Sequence, residues 1–145
     1  MKPHVRDYMT SNPRTIGADE SLMAAHRTMR AFAIRHLPVI DALQHPIGVV
    51  TERDLRILET FPQIDPLATP VRVAMTSSPF TVSPSDALDG VAAEMSKRRV
   101  GSAVVVEDGR VVGMFTTADA MRLLCDALSC ARWPVKSTRY GHPEE

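Results

Sequence analysis

The chain has no surplus of either charge and no long apolar run, and each of these absences argues against a class of partner. Among its 145 residues, 17 basic side chains balance 17 acidic ones, so the formal net charge is zero. Nucleic-acid binders depend on a basic face that releases counterions, so this balance disfavours nucleic acid as a partner. No stretch reaches the roughly 20 apolar residues that a membrane-spanning helix needs, and we expect no membrane partner.

Cysteine is scarce as well. Cys125 and Cys130 are the only two, and they lie five residues apart near the end of a predicted helix. At that spacing their side chains point to different sides of the helix, so we expect no disulfide between them. A reduced, cytoplasmic setting fits this usage best. The first four residues open no apolar run, and we therefore expect no signal peptide.

A long internal repeat is the main feature that the chain does contain. The pattern V-R-x-x-M-T-S-x-P-x-T begins at Val5 and returns 66 residues later, beginning at Val71. Each copy ends with G-x-x-T-x-x-D, which begins at Gly48 and again at Gly113. The repetition predicts two similar units packed about a pseudo-twofold axis, with matched clefts at their junction. Each half of about 60 residues would be marginal alone, so we expect the halves to depend on each other.

Each copy predicts the element order β-α-β-β-α, which is an α/β (α+β) fold. Helix starts are predicted at Ser83, as an N-cap followed by Pro84, and at Gly17 in the first copy. The Asp-Gly pair at 108–109 predicts a tight hairpin turn. Apolar residues at helical spacing predict buried stripes. These stripes comprise Leu22, Ala25, Met29 and Phe32; Leu88, Val91, Ala92 and Met95; and Ala120, Leu123, Leu124, Ala127 and Leu128.

Composition also suggests the domain organisation. Three prolines between residues 59 and 70 stop a helix and mark a linker. We therefore assign the first repeat to residues 1–60 and a proline-rich linker to 61–70. The second repeat occupies residues 71–128, and a C-terminal tail of unassigned role occupies 129–145.

These motifs and their order resemble the cystathionine-β-synthase (CBS) domain, and the tandem pair resembles a Bateman module. The resemblance rests on the M-T-x-x-P-x-T opening, the β-α-β-β-α order and the G-x-x-T-x-x-D ending, which recur together from residue 3 to residue 128. It implies a regulatory module that binds an adenosine-containing ligand between its repeats, namely AMP, ADP, ATP, NAD or S-adenosylmethionine. It also implies a homodimer, and no catalytic cofactor.

The resemblance implies specific ligand-binding positions. The threonine and aspartate of each closing motif would contact phosphate or ribose hydroxyls. The strand after each opening motif would line the cleft, and the segment entering the second strand would border the base. The implied set is Thr15, Ile16, Ile34, Arg35, His36, Leu37, Pro38, Thr51, Asp54, Thr81, Val82, Val100, Gly101, Ser102, Ala103, Thr116 and Asp119. We add Arg53, which is adjacent to Asp54, because its guanidinium offers a fork of donors. The chemistry is suitable, because a carboxylate accepts both ribose hydroxyls and a helix N-terminus suits a phosphate oxygen.

Each of these features also has a plainer interpretation. A T-x-x-D sequence at a helix start is a capping arrangement, and this role is compatible with ligand binding. Arg53 could be a solvated helix residue, and His36 a polar residue at a strand edge. The basic run 97–99 ends a helix, where cations suit the macrodipole. The remaining histidines lack the spacing of metal ligands, so we expect no metal site.

The two copies differ in charge. Arg53 in the first closing motif corresponds to Ala118 in the second, and Arg35 corresponds to Gly101. Arginine offers a fork of donors to phosphate, which alanine and glycine lack. If both clefts bind ligand, we expect the cleft built on Thr51, Arg53 and Asp54, to which Arg35 of the same repeat would add its charge, to favour phosphate more strongly.

No nucleophile–base pair or cofactor loop appears at a recognisable spacing, so we expect a non-enzyme. The leading hypothesis is a stand-alone adenine-nucleotide sensor that acts in signal transduction by altering a regulated partner protein. Apolar residues beyond one stripe on the Met- and Ala-rich helices favour a homodimer. The alternatives are a ligand-independent structural or dimerisation module and, disfavoured by the neutral charge, a nucleic-acid binder.

Overall fold

Two copies of one α+β unit make up the architecture. The computed structural model describes residues 2–130. The first copy contains α1 (Val5–Tyr8), β1 (Thr10–Ser11), β2 (Ile16–Gly17), α2 (Leu22–Phe32), β3 (His36–Ile40), β4 (Pro46–Thr51) and α3 (Glu52–Glu59). The second contains a 3-10 turn (Val71–Val73), β5 (Thr76–Ser77), β6 (Thr81–Val82), α4 (Leu88–Arg98), β7 (Ser102–Glu107), β8 (Arg110–Thr116) and α5 (Thr117–Cys130). The predicted β-α-β-β-α order is confirmed in both copies.

Each copy adds one short strand to the sheet of the other. The two four-stranded sheets have the orders β2-β3-β4-β5 and β1-β8-β7-β6. Strand β1 from the first copy pairs antiparallel with β8 of the second, where Thr10 lies opposite Met114. Strand β5 from the second copy pairs in the same way with β4, where Thr76 lies opposite Val49. The M-T-S opening, which the sequence left without a structural role, is therefore an exchanged strand.

The glycine of each closing motif makes room for this exchange. A Cβ atom on Gly48 would lie 2.6 Å from Sδ of Met75 and 2.9 Å from the carbonyl oxygen of Thr76. A Cβ atom on Gly113 would lie 2.5 Å from Sδ of Met9. A side chain at either position would hold the incoming strand away, which explains why methionine and glycine recur together in the repeat.

The core consists of one apolar cluster in each copy and a smaller cluster between them. The predicted stripes of α2 and α4 are buried against their own sheets, except that Phe32 and Ala92 are exposed. Val49 from β4, Val104 from β7 and Met114 from β8 form the third cluster at the junction. Because this cluster draws on both copies, unfolding either half would expose apolar surface of the other.

The stripe predicted on α5 is not a core stripe. Leu124 and Leu128 are each 45% exposed, and the neighbouring Met121 is 58% exposed. Ala120 and Leu123 are partly buried against the second cluster. The helix therefore contacts its sheet through its first two turns and projects beyond it, leaving an apolar surface uncovered by residues 2–130.

Helix α4 begins later than the sequence predicts. The Ser83 N–H donates to Oδ2 of Asp86 at 2.8 Å, which is the bond expected of a helix start. That bond closes a turn instead, and α4 begins at Leu88. The backbone N–H of Leu88 donates to the carbonyl of Pro3 at 3.0 Å, so the helix start is positioned by the N-terminal segment.

The first copy repeats this departure. The Gly17 N–H donates to Oε2 of Glu20 at 2.6 Å, but the helix begins at Leu22 behind Ser21 as its N-cap. The N–H of Leu22 donates to the carbonyl of Thr69 at 3.0 Å. In a turn and in a capping box alike, a backbone N–H donates to the carboxylate of the residue three positions later. The local sequence therefore does not show whether a turn or a helix start will form.

The segments outside the repeats can be described in part. The predicted linker 61–70 contains no helix or strand, and its carbonyls accept bonds from the start of α2. Helix α5 extends to Cys130, and the rest of the predicted tail lies outside the described residues. Cys125 and Cys130 are free and exposed. None of the helices in residues 2–130 combines the length and the apolar character needed to cross a bilayer.

We expect Gly48→Ala to lower the free energy of unfolding more than Gly113→Ala does. Both new Cβ atoms would press on a methionine sulfur, which can move aside. At Gly48 the Thr76 carbonyl also lies 2.9 Å away, and backbone cannot move so freely. Overpacking of this kind costs about 1–3 kcal/mol, which urea unfolding would measure.

Gly90→Ala is the matched control. Gly90 is exposed on α4, and nothing lies within 4 Å of the Cβ that the substitution adds. Alanine should therefore stabilise this helix by up to about 1 kcal/mol. A Gly48→Ala protein as stable as the wild type would contradict the close approach of the exchanged strand.

Candidate functional site

The larger of two clefts between the copies, called the large cleft, lies where the opening of the first copy meets the closing motif of the second. Its volume is about 760 Å³, within the range of small-molecule sites. The segment from α2 to β3 faces the start of α5 across it. The lining residues are Thr10, Asn12, Pro13, Arg14, Phe32, Ala33, Ile34, Arg35, His36, Met114, Thr116, Thr117, Ala118, Asp119 and Met121.

The second cleft, called the small cleft, is formed by the same parts with the two copies interchanged, and its volume is about 270 Å³. The opening of the second copy meets the closing motif of the first, and the segment from α4 to β7 faces the start of α3. The lining residues are His36, Val49, Thr51, Asp54, Thr76, Ser78, Pro79, Phe80, Arg98, Val100, Gly101 and Ser102. The two clefts thus have the same plan but differ in size.

Strand exchange corrects the expected composition of each cleft. Arg35 was expected to share a cleft with Arg53 and Asp54 of its own copy. Instead, Arg35 lines the large cleft together with Ala118 and Asp119 of the other copy. Arg35 and Arg53 both line a separate cavity of about 430 Å³ beside the junction. The cleft that contains Ala118 therefore does have a guanidinium group, that of Arg35.

Thr51 and Asp54 form a capping box at the start of α3. The Thr51 N–H donates to Oδ2 of Asp54 at 2.9 Å, and the Asp54 N–H donates to Oγ1 of Thr51 at 3.1 Å. The capping interpretation is therefore confirmed for this motif. It uses one carboxylate oxygen, and within residues 2–130 no hydrogen bond reaches Oδ1, which remains able to accept from a ligand hydroxyl.

Asp119 occupies the same position in the large cleft but is more enclosed, with 3% of the residue exposed. Its Oδ2 accepts from the backbone N–H of Thr116 at 2.9 Å and from the Thr116 hydroxyl at 3.2 Å. Its Oδ1 accepts from the Thr10 hydroxyl at 3.4 Å and from the Arg122 guanidinium. The Arg122 side chain is mostly exposed. A ligand hydroxyl could therefore take the place of Arg122 on Oδ1, and the displaced guanidinium would be hydrated because its side chain already lies in solvent.

The remaining predicted residues divide between cleft walls and strands. Those on cleft walls are Ile34, Val100, Gly101 and Ser102. Those buried in the following strands are Leu37, Pro38 and Ala103. The residues before or at the start of β3 and β7 therefore form the cleft walls, and the strand residues that follow them are buried behind the walls.

The strand after each opening motif was expected to line a cleft, and its residues lie elsewhere. Thr15 and Ile16 line a separate cavity of about 610 Å³, where Ile16 joins the core of the first copy. Val82 packs in the core of the second copy, and Thr81 beside it is exposed. The sheet order gives the reason: β2 and β6 lie at the sheet edges opposite to the exchanged strands, and it is the exchanged strands that contribute Thr10 and Thr76 to the clefts.

Sequence reasoning missed the opening segments as cleft walls. Thr10 and Arg14 line the large cleft, and Phe80 lines the small one. Asn12 and Ser78, at matching positions, take positive φ values of 47° and 53°, which turns each segment towards its cleft. The only available signal was the repetition of M-T-S-x-P itself, which a simple β-α-β-β-α unit does not require.

His36 lies between the clefts and lines both of them. A Cβ atom on Gly101 would lie 3.1 Å from its Nε2, so the imidazole packs against the backbone of the second copy. Desolvation by burial lowers the pKa of His36 below 6.5; the negative charge of Asp54 opposes this and the positive charge of Arg35 adds to it. The neutral imidazole can donate or accept a hydrogen bond in either cleft.

Comparison with known proteins identifies the family. A family model described as the CBS domain matches residues 5–58 and again residues 71–126. This chain belongs to the CBS domain family. The two matches coincide with the two structural copies, which are therefore CBS repeats.

Similar proteins include one that this chain covers almost completely and a larger enzyme. A CBS domain-containing protein of Dictyostelium discoideum is 30% identical over 138 residues, covering 88% of this chain and 95% of that protein. L-aspartate semialdehyde sulfurtransferase of Methanocaldococcus jannaschii is 30% identical over 122 residues, covering 82% of this chain and 23% of that enzyme. The chain thus spans less than a quarter of this second relative.

A solved structure shares the fold over most of the chain. The crystal structure of the CBS domain pair of protein MJ0100 is 27% identical and superposes with a TM-score of 0.77. The match covers 88% of this chain and 99% of that one. That CBS pair is in complex with 5′-methylthioadenosine and S-adenosyl-L-methionine.

We expect His36 to make this CBS pair less stable in mild acid. Because its folded-state pKa is lowered, the unfolded chain binds the proton more readily, and stability falls as the pH drops from 6.5 towards the folded-state pKa. His36→Gln should remove this component. Urea unfolding between pH 7.5 and about 5 would measure it, and parallel pH profiles for the two proteins would contradict the assignment.

Proposed function

We propose that this CBS pair is a non-enzymatic regulatory module. It binds an adenine nucleotide (AMP, ADP or ATP) or a related adenosyl ligand between its repeats and signals its occupancy to a partner protein. The observation that carries the proposal is the large cleft. Its volume of about 760 Å³ suits such a ligand, and a carboxylate, a helix start and arginines converge on it. The adenosyl ligands of the similar CBS pair support the same chemistry.

The proposed contacts follow from the chemistry of each part of the ligand. Asp54 and Asp119 accept the ribose hydroxyls, because charged acceptors form the stronger hydrogen bonds. The starts of α3 and α5, with Thr51 and Thr116, face the phosphate side, where the helix macrodipole is positive. The base lies against the segments that enter β3 and β7. Those segments contribute Ile34, Arg35, His36, Val100, Gly101 and Ser102.

We expect Asp54→Ala to weaken binding of adenine ligands while leaving the fold intact. The substitution removes the proposed ribose acceptor of the small cleft. It also removes one capping-box partner, which costs on the order of 1 kcal/mol or less. Calorimetric titration with AMP, ADP, ATP, NAD and S-adenosylmethionine would measure the affinity, and unfolding would measure the stability.

Asp86→Ala is the matched control for this experiment. Asp86 also accepts a backbone N–H three residues before it, at 2.8 Å, but it lies outside both clefts. It should cost similar stability without changing affinity. If Asp54→Ala unfolds the protein, or leaves the affinity for every ligand unchanged, the ribose assignment is wrong.

A ligand-independent dimerisation module is the second candidate, and the apolar surface of α5 favours it. Met121, Leu124 and Leu128 recur at i, i+3 and i+7 and are 45–58% exposed. Ligand-dependent unfolding separates the two functions. A ligand at 100 times its dissociation constant stabilises its binder by about 2.7 kcal/mol, whereas a module without a ligand site gains nothing.

We expect the protein to be a homodimer that uses this surface of α5. Burying Leu124 and Leu128 against a second copy would remove apolar area from water, which is the usual driving force for association. Light scattering at micromolar concentration should give the mass of two chains, and Leu124→Glu should give the mass of one. A single-chain mass for the wild type would refute the dimer.

A further inference from the structure

Each cleft contains an arginine guanidinium lying over a phenylalanine ring, but the arginine and the phenylalanine have changed places between the two repeats. In the large cleft, Cζ of Arg14 lies 3.9 Å from the centroid of the Phe32 ring. In the small cleft, Cζ of Arg98 lies 4.6 Å from the centroid of the Phe80 ring. The 66-residue repeat aligns Arg14 with Phe80 and Phe32 with Arg98. Each cleft therefore has one guanidinium stacked on one ring, in opposite orders.

This stack prepares a guanidinium to bind an anion. The π face of the ring attracts the cation and fixes its plane, while the N–H donors at the edge remain directed outwards. In the large cleft the guanidinium comes from the opening segment, and in the small cleft it comes from the end of α4. The two guanidinium groups therefore lie on different walls of their clefts.

The two guanidinium groups differ in charge compensation. Nε of Arg98 donates to Oε1 of Glu94 at 2.7 Å. This hydrogen bond also holds the pKa of Glu94 below its usual value. Within residues 2–130, Arg14 forms no ion pair. The large cleft therefore presents an uncompensated positive charge, whereas the corresponding charge in the small cleft is already paired.

We propose that Arg14, stacked on Phe32, makes the large cleft selective for adenosyl ligands that carry a phosphate, while the small cleft prefers the uncharged nucleoside. The difference in volume, about 760 against 270 Å³, agrees with this division because the phosphate adds bulk. The inference rests on the proposed adenosyl-binding function. It reverses the ranking expected from Arg53 and Ala118, which assigned the stronger phosphate preference to the other closing motif.

Calorimetric titration with AMP and with adenosine tests this division. Arg14→Gln keeps a polar side chain but removes the charge, and it should weaken AMP binding about tenfold or more, as expected for a lost hydrogen bond to a charged group. Its effect on adenosine should stay within about threefold. Using the Asp54→Ala background removes the proposed ribose contact of the small cleft, so the titration reports on the large one.

Two variants at Arg98 and its partner Glu94, beside the small cleft, serve as matched comparisons. Arg98→Gln should change AMP affinity within about threefold, because the charge that it removes is already compensated by Glu94. Glu94→Gln, in contrast, should strengthen AMP binding. By releasing Arg98, it should tighten AMP binding at the weaker site by about threefold or more and leave adenosine unchanged.

The outcomes distinguish the inference from the function on which it rests. Arg14 is exposed, so Arg14→Gln should lose only the contact with the Phe32 ring, and its thermal unfolding midpoint should stay close to that of the wild type. If the wild type binds AMP and Arg14→Gln loses nothing, or loses AMP and adenosine equally, the inference fails and the proposed function stands. If the wild type binds no adenine ligand, the proposed function fails and the inference fails with it.

Discussion

The close approach of each exchanged strand to a glycine is the contact on which the rest of the molecule depends. Strands β1 and β5 have two residues each, yet each forms one edge of a sheet and brings the opening of one repeat to the closing motif of the other. The Thr10 hydroxyl reaches Asp119 for this reason. Without the exchange, each unit would leave a sheet edge unpaired, and neither cleft would have its second wall.

The parts of the fold that depend on neighbouring residues could be predicted from the sequence. Asp108 and Gly109 take φ values of 52° and 77°, as a tight Asp-Gly turn requires, and Thr51 caps α3 as expected. The exchange could not be predicted, because it depends on a contact between Gly48 and Met75 that no local pattern reveals. The late starts of α2 and α4 also depend on contacts between residues far apart in the chain, because the N–H groups of Leu22 and Leu88 donate to distant carbonyls.

The candidate site, too, could be predicted only in those parts that depend on neighbouring residues. The closing motifs were identified correctly as helix starts, and Asp54 and Asp119 lie on cleft walls. The capping role and the proposed ligand role are compatible, because a carboxylate has two oxygens and the cap of α3 uses one. What the motif could not indicate is which repeat supplies the facing wall. That information lies in the sheet order, and it determines which arginine belongs to which cleft.

The two repeats differ in side-chain size at a point where they come into close contact. Residues related by the repeat approach each other near the axis, so two identical bulky side chains there would collide. Arg35 and His36 correspond to Gly101 and Ser102, and a Cβ atom on Gly101 would already lie 3.1 Å from Nε2 of His36. The absence of a side chain at 101 gives His36 its position between the clefts. The asymmetry of the clefts thus begins as a packing requirement, and the proposed difference in ligand charge builds on it.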